Sequence, residues 1–260
     1  MRFLAWLPML MLAMPTHAAE PKRILAVLAH PDDEIPMAPA LTAAAREGAR
    51  VRIVYATAGD AAAPETDLAP GEAIALRRMA EARCASAALG AVAPFLLDFR
   101  DGRLGEATRP PGALLANLRE ALAGVLAAEH PDVVVTWGPD GGYGHPDHRL
   151  VSAVVGELLA SRSERPLLLH MAIRAGTLPP IAEMQRWAVT DPALVTVSVA
   201  YTPADLAAAT KAVECHASQF DAATRAGLVP LFAGSVWKGG VAFRTPLDPA
   251  RGESLAGLRH

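Results

Sequence analysis

The sequence predicts a Rossmann-like α/β fold, in which helices cover both faces of a mostly parallel sheet. Short apolar runs alternate along the chain with longer segments of helical character. Most of these runs are almost continuously apolar, which is typical of parallel strands buried on both faces. Hydrophobic residues make up 52% of the 260 residues and aromatic residues only 5%. The apolar content is therefore mainly Ala, Leu and Val, which favour helices and buried strands.

Six strands are predicted, and the first of them begins a β-loop-α-β unit. Gly48 ends the helical stretch that follows the first strand, and Gly90 ends the next helix, because glycine readily adopts the left-handed conformation that closes helices. Thr202, Pro203 and Asp205 form a start that resembles a capping box. The predicted strands cover residues 23–29, 50–58, 94–97, 132–137, 167–172 and 195–199, and the predicted helices end near residues 47, 89, 129, 161 and 216.

No internal repeat or low-complexity linker divides the chain. About 240 residues suit one α/β domain, so residues 20–260 are predicted to form a single domain, loop-rich beyond residue 216. The first loop lacks a G-x-G-x-x-G pattern, which argues against a dinucleotide-binding oxidoreductase. The formal net charge is -3 and the two signs are interspersed. Without a basic stripe, nucleic acid is not an expected partner.

Residues 1–19 have the pattern of a secretory signal peptide. Arg2 precedes an apolar run from Phe3 to Met14, and small residues near Ala18 suit cleavage. The run is short for a bilayer span and no later segment is long enough, so no integral membrane segment is expected after cleavage. These features predict a periplasmic or secreted protein.

The two cysteines, Cys84 and Cys215, could pair in an oxidising compartment. The sequence gives no distance between them, so pairing remains open. Two small buried side chains are slightly favoured over a disulfide.

Two polar clusters follow predicted strands, one after the first strand and one after the fourth. The first is His30-Pro31-Asp32-Asp33-Glu34, and the second includes His145 and His148. Ligands of parallel α/β sheets bind beyond the carboxyl ends of the strands, where both clusters fall. Imidazole and carboxylate groups suit zinc, and a catalytic zinc site has three protein ligands and an open position. Adjacent carboxylates leave an extended backbone in opposite directions, so one can bind metal while its neighbour addresses water.

The segments AHPDDE at 29–34 and GHPDH at 144–148 resemble the paired motifs of the PIG-L/LmbE-like N-acetylglucosaminyl deacetylases. Weaker similarities link this family to an R-x-x-E pattern, a polar loop after the third strand and a closing K...H-x-S-Q pattern. The residues concerned are Arg78 with Glu81, Asp101 with Gly102, and Lys211, His216, Ser218 and Gln219. The resemblance covers about residues 22–219.

The resemblance implies that His30, Asp33 and His148 hold one zinc ion per chain and that Asp32 is the general base. His145 would act as the general acid or as a cation that faces the oxyanion. Tyr143 is expected in the catalytic centre, and Arg78 and Asp101 are expected at the substrate. Asp147 would orient His145 or cap the following helix. For Arg78 the alternative is a surface arginine paired with Glu81.

The motifs predict the chemistry better than the substrate. The resemblance implies removal of the acetyl group from an N-acetylglucosamine-type glycan or glycoconjugate. A metal-dependent amidase acting on a non-sugar conjugate remains an alternative. A second alternative is an exported glycan-binding protein without activity, although no expected ligand or base is missing from the sequence.

Overall fold

The computed structural model describes residues 20–108 and 113–246, so the predicted signal peptide lies outside the described residues. The strands are β1 Arg23–Leu28, β2 Arg50–Thr57, β3 Phe95–Phe99, β4 Val133–Thr136, β5 Leu167–Ala172, β6 Val197–Val199 and β7 Val241–Arg244. They form one sheet in the order β3-β2-β1-β4-β5-β7-β6. Among these strands only β7 runs antiparallel to its neighbours. The predicted Rossmann-like, mostly parallel sheet is confirmed.

Helices cover both faces of the sheet. They are α1 Ala38–Arg46, α2 Glu72–Ala88, α3 Ala113–Glu129, α4 Pro146–Ala160, α5 Pro203–Cys215 and α6 Ala222–Ala233, with 3-10 turns at Ile35–Met37, Leu104–Thr108, Ala182–Arg186 and Pro192–Leu194. Side chains of β1 alternate between two buried clusters, because successive residues of a strand point to opposite faces. Ala26 and Leu28 join the cluster that includes α1, α2, α5 and α6, whereas Leu25 and Val27 join the one with α3 and α4.

The centre of the sheet contains a topological switch point. β1 pairs in parallel with β2 on one side and with β4 on the other. The connections after β1 and β4 therefore diverge and leave a crevice at the carboxyl ends of these two strands, where open α/β sheets bind ligands. Both polar clusters of the sequence begin there.

The C-terminal third differs from the predicted loop-rich segment. The structure has α6 and β7 there, and β6 begins at Val197 rather than at residue 195. Helix α6 contains Gly227 and an internal Pro230, two residues that disfavour helix interiors, and this explains why the sequence does not indicate it. β7 has only four residues, too few for a clear alternating pattern.

Cys84 and Cys215 form a disulfide with a Cα–Cα distance of 5.8 Å. The slight preference for two buried, unpaired thiols is thus wrong: Cys84 is exposed and Cys215 is half-buried. The pairing results from the packing of α2 against α5, which the sequence does not reveal. The bond joins the helix that bears Arg78 to the residue before His216.

Candidate active site

Three side chains converge in the crevice between β1 and β4. The Nε2 atom of His148 lies 2.9 Å from Oδ1 of Asp33 and 3.3 Å from Nδ1 of His30. Nδ1 of His30 is 3.6 Å from Oδ2 of Asp33, and all three side chains are buried. Two imidazole nitrogens and a carboxylate, held this close together, are the donor set of a catalytic zinc site.

The outer contacts of the two histidines fix which nitrogen can bind a cation. Nε2 of His30 faces the carboxylates of Asp101 at 3.0 Å and Asp147 at 3.3 Å. Nδ1 of His148 lies 3.1 Å from the carbonyl oxygen of Gly141. Each acceptor places the imidazole proton on the outer nitrogen and leaves the lone pair of the inner nitrogen directed at the triad. The triad therefore fits a divalent metal ion.

The charges around His30 also shift its pKa. Burial acts to lower the pKa of this imidazole, but hydrogen bonds to Asp101, Asp147 and Asp33 outweigh burial and raise it well above its ordinary value. The excess of carboxylates thus favours positive charge at this point, whether from a proton or from a metal ion.

Asp32 lies beside the triad in a strained conformation. Its φ of 102° is in the left-handed region that favours glycine, and its backbone N–H donates to Oε2 of Glu34 at 3.0 Å. Burial raises the pKa of the Asp32 carboxyl to about 6, although the positive charge of Arg78 opposes the rise. A carboxyl with a pKa near 6 suits a general base near neutral pH.

Arg78 holds the carboxylate of Asp32 in place. Its Nη2 lies 3.1 Å from Oδ2 of Asp32, and its guanidinium also donates to the carbonyl oxygens of Pro31 and Gly59. A Cβ at Gly59 would lie within 2.6 Å of three guanidinium atoms, so the close approach requires glycine. Arg78 is only 3% exposed, so in this structure it holds Asp32 rather than presenting an open contact to a sugar.

The alternative pairing of Arg78 with Glu81 is wrong. Glu81 instead accepts from Nε of Arg77 at 3.1 Å and from the backbone N–H and the hydroxyl of Ser218 at 3.0 and 2.6 Å. The side chain at 81 therefore ties α2 to the segment that follows α5, and the side chain at 78 is free to enter the site. Asp101, the other residue expected at the substrate, contacts His30 and is largely buried.

Glu34 is the centre of a buried network that links the first motif to the C-terminal part of the chain. Its Oε1 lies 2.5 Å from Nε2 of His216, and its Oε2 accepts from the hydroxyl of Tyr55 at 2.8 Å and from the backbone N–H of Asp32. The sequence places Glu34 only in the first polar cluster and indicates no partner for it. The K...H-x-S-Q similarity includes His216, but the partners are 182 positions apart in the sequence, and this separation conceals their contact.

His145 and Asp147 have different contacts from those expected. Nδ1 of His145 accepts from the backbone N–H of Asp147 at 3.2 Å, so that His145 caps α4. The carboxylate of Asp147 turns away, accepts from Gly102 N–H at 2.9 Å and faces His30. The Asp147 carboxylate therefore orients His30, whereas the contact of Asp147 with His145 is made by its backbone N–H and the cap of the helix is His145. Burial and the nearby His30 and His148 lower the pKa of His145, which disfavours its cationic form.

Tyr143 lies over the open side of the triad. Its ring centroid is 5.1 Å from that of His148, and 45% of the residue is exposed. Burial of the hydroxyl and the charges of Asp33 and Asp32 raise its pKa, so the phenol stays protonated and can donate a hydrogen bond. Trp137 stacks on His148 and also makes an edge contact with the Tyr143 ring. A Cβ at Gly142 would lie 2.5 Å from the Trp137 ring, so only glycine lets the loop approach it.

Fold and site together define a Rossmann-like α/β protein with a candidate metal centre of two histidines and one aspartate at its switch point. The family model described as PIG-L, GlcNAc-PI de-N-acetylase, matches residues 25–159, which include both motifs. The chain belongs to this family.

Comparison with curated proteins gives relatives that are named as deacetylases. The chain is 39% identical over 153 residues to the 1D-myo-inositol 2-acetamido-2-deoxy-alpha-D-glucopyranoside deacetylase of Rhodococcus erythropolis, and the match covers 52% of each protein. A deacetylase of the same name from Corynebacterium urealyticum is 31% identical and covers 78% of this chain and 72% of the relative. The chain thus spans about half the length of several of its curated relatives.

Solved structures share the fold. An N,N'-diacetylchitobiose deacetylase from Pyrococcus horikoshii superposes with a TM-score of 0.65 at 20% identity, over 87% of this chain and 83% of that one. The zinc-inhibited form of a teicoplanin deacetylase superposes with a TM-score of 0.61 at 20% identity, over 85% and 96% of the two chains. Identities this low show the common fold. In the described part of this chain, no helix is both long and apolar enough to cross a membrane.

Proposed function

We propose that this protein is a zinc-dependent hydrolase that removes the acetyl group from an N-acetylated amino sugar. The observation that carries the proposal is the convergence of His30, Asp33 and His148 beside an Asp32 carboxyl whose pKa is raised to about 6. The family and the names of the curated relatives support deacetylation of a GlcNAc-type conjugate. The donor set supports zinc.

The reaction is the hydrolysis of an amide. When bound, zinc polarises the acetyl carbonyl and makes a neighbouring water molecule more acidic. Asp32 takes the proton of the attacking water, whose oxygen bonds to the carbonyl carbon. Tyr143 donates a hydrogen bond to the oxyanion. The C–N bond then breaks, the amine leaves with the proton that Asp32 had taken, and acetate is the second product.

We further propose that the protein acts in the periplasm or outside the cell. The pattern of residues 1–19 supports export. The disulfide between Cys84 and Cys215 supports an oxidising compartment, because disulfides seldom persist in a reducing cytoplasm. Measurement of the N-terminal residue and of the cell fraction of the expressed protein tests this; an uncleaved chain in the cytoplasm contradicts it.

The activity is tested by acetate release from a panel of N-acetylglucosamine compounds. The purified chain is stripped of metal and reloaded with one equivalent of zinc, because a structural neighbour is described as a zinc-inhibited form. Asp32→Asn should bind zinc normally and lose at least about 100-fold in kcat, whereas His148→Ala should lose zinc as well. His170→Ala is the matched control, since His170 is a buried histidine outside the site.

Normal turnover by Asp32→Asn would refute the assignment of the base. Release from a non-sugar amide alone would move the assignment to an amidase.

A further inference from the structure

An apolar cavity adjoins the candidate active site on one side. It has a volume of about 310 Å³ and reaches Asp32 and Asp33. Its remaining walls come from the turn after β1, the loop after β4, the loop before β6 and helix α6 with the segment before it. These wall residues are Ile35, Pro36, Trp137, Tyr143, Trp187, Phe220, Leu228 and Phe232. Such a volume is at the lower end of the range for small-molecule sites.

The polar groups of the site lie elsewhere. Arg78, Asp101 and Asp147 gather around Asp32 and the outer nitrogen of His30, and none of them lines the cavity. An amide has two substituents, an acyl group and an amine. The hydroxyl groups of a polyhydroxylated amine would lack hydrogen-bond partners among these apolar walls, so the cavity suits the acyl group better.

The cavity is too large for an acetyl methyl group. A methyl group is similar in size to a water molecule, whose share of liquid volume is about 30 Å³, and so it fills roughly one tenth of the space. A sugar ring would meet few partners there. Apart from the two carboxylates, the polar side-chain atoms of the wall are the Tyr143 hydroxyl and the indole N–H groups of Trp137 and Trp187.

We propose that this cavity binds a linear alkanoyl chain, and that the preferred substrates carry an N-acyl group longer than acetyl. The inference rests on the proposed amide hydrolysis and changes only the acyl group: water adds to the carbonyl carbon, the C–N bond breaks, and a fatty acid leaves instead of acetate. Each methylene that enters the cavity leaves water, and full burial strengthens binding about fourfold per methylene.

The first test compares N-acetyl-, N-butanoyl- and N-hexanoylglucosamine as substrates of the zinc-loaded chain. We expect kcat/KM to rise by up to about 15-fold for each pair of added methylenes. A value that is flat or falls with chain length would overturn the inference and leave the deacetylase function intact. If none of the three amides is cleaved, the proposed activity on amino sugars is wrong. The second test then decides whether the cavity binds an alkanoyl chain.

The second test measures binding without catalysis. Acetate, butanoate and hexanoate are titrated into the metal-free chain, and binding is followed by calorimetry and by the fluorescence of the tryptophans, two of which line the cavity. Hexanoate should bind at least about tenfold more tightly than acetate, because its added methylenes leave water. Equal affinities for the two acids would refute the proposed cavity occupant.

A pair of leucine variants locates the effect. Leu228→Asn places a polar group in the cavity wall and should reduce the hexanoyl-to-acetyl ratio of kcat/KM about fivefold or more. Leu76→Asn changes a leucine that is 60% exposed on α2 and does not line the cavity, so the ratio should stay unchanged. Because each ratio compares two substrates of one variant, a smaller folded fraction does not affect it. An unchanged ratio in Leu228→Asn would contradict the proposal.

Discussion

Replacement of Cys84 and Cys215 by serine removes the crosslink between α2 and α5. The two residues are 131 positions apart. Closing a loop of this length lowers the entropy of the unfolded chain and so stabilises the folded state by about 5 kcal/mol at 25 °C. Measured effects of disulfides are usually about 2–4 kcal/mol. For a chain of this size 1 kcal/mol corresponds to about 2–4 °C in Tm, so the variant should melt roughly 5–15 °C below the wild type.

The assay is thermal and urea unfolding of the oxidised wild type, the wild type in reductant and the double serine variant. Reductant should lower the midpoint of the wild type to near that of the variant and leave the variant unchanged, since Cys84 is exposed and open to attack. Identical midpoints for the oxidised and reduced wild type would refute the reasoning. So would two free thiols titrated in the untreated protein.

Three further variants test the contacts of the site. Arg78→Gln removes the positive charge that opposes the raised pKa of Asp32. On the acid side, kcat/KM rises with pH as Asp32 loses its proton, and this rise should move to higher pH in the variant. An unmoved rise would contradict the pairing of Arg78 with Asp32. Asp147→Asn weakens the support of His30 and should lower zinc affinity about 10–100-fold, as measured by competition with a chelator; unchanged affinity would rule out that support. Glu34→Gln disturbs the buried contacts to His216 and Tyr55. It should lower the free energy of unfolding in urea by about 1–3 kcal/mol and lower kcat more than it changes KM. The control Glu72→Gln, at the exposed start of α2, should have neither effect.

The central sheet and the approach of the two polar clusters could be predicted because they depend on local patterns, whereas the choice of the three ligands came from the resemblance to the family. Apolar runs such as 132–137 indicate buried strands wherever they fall in the chain. The rule that ligands bind beyond the carboxyl ends of parallel strands then brings two distant motifs together. His30, Asp33 and His148 meet for this reason, although the sequence does not give the order of the strands.

The remaining features depend on packing between distant elements. The contact of Glu34 with His216 and the disulfide exist only because α5 packs beside α1 and α2. The position of Arg78 follows from Glu81 turning toward Ser218, a choice between two partners that helix spacing alone cannot make. Helix α6 supplies part of the cavity wall, but its Pro230 and Gly227 conceal it from periodicity.

The left-handed backbone of Asp32 predicts that the protein is more stable without its proposed base. A non-glycine residue in this region is destabilised by about 1–3 kcal/mol, and a pKa raised from 3.8 to about 6 means that the ionised carboxyl destabilises the native state by roughly 3 kcal/mol more at pH 7. Metal-free Asp32→Gly should therefore resist urea better than the wild type at pH 7 while losing all turnover. The part of the gain that comes from ionisation should disappear as the pH falls from 6 to below 4, because the wild-type carboxyl is then protonated in both states. A less stable glycine variant at pH 7 would show that the ion pair with Arg78 outweighs both effects. A glycine variant that is more stable but inactive would show that this position exchanges resistance to unfolding for reactivity.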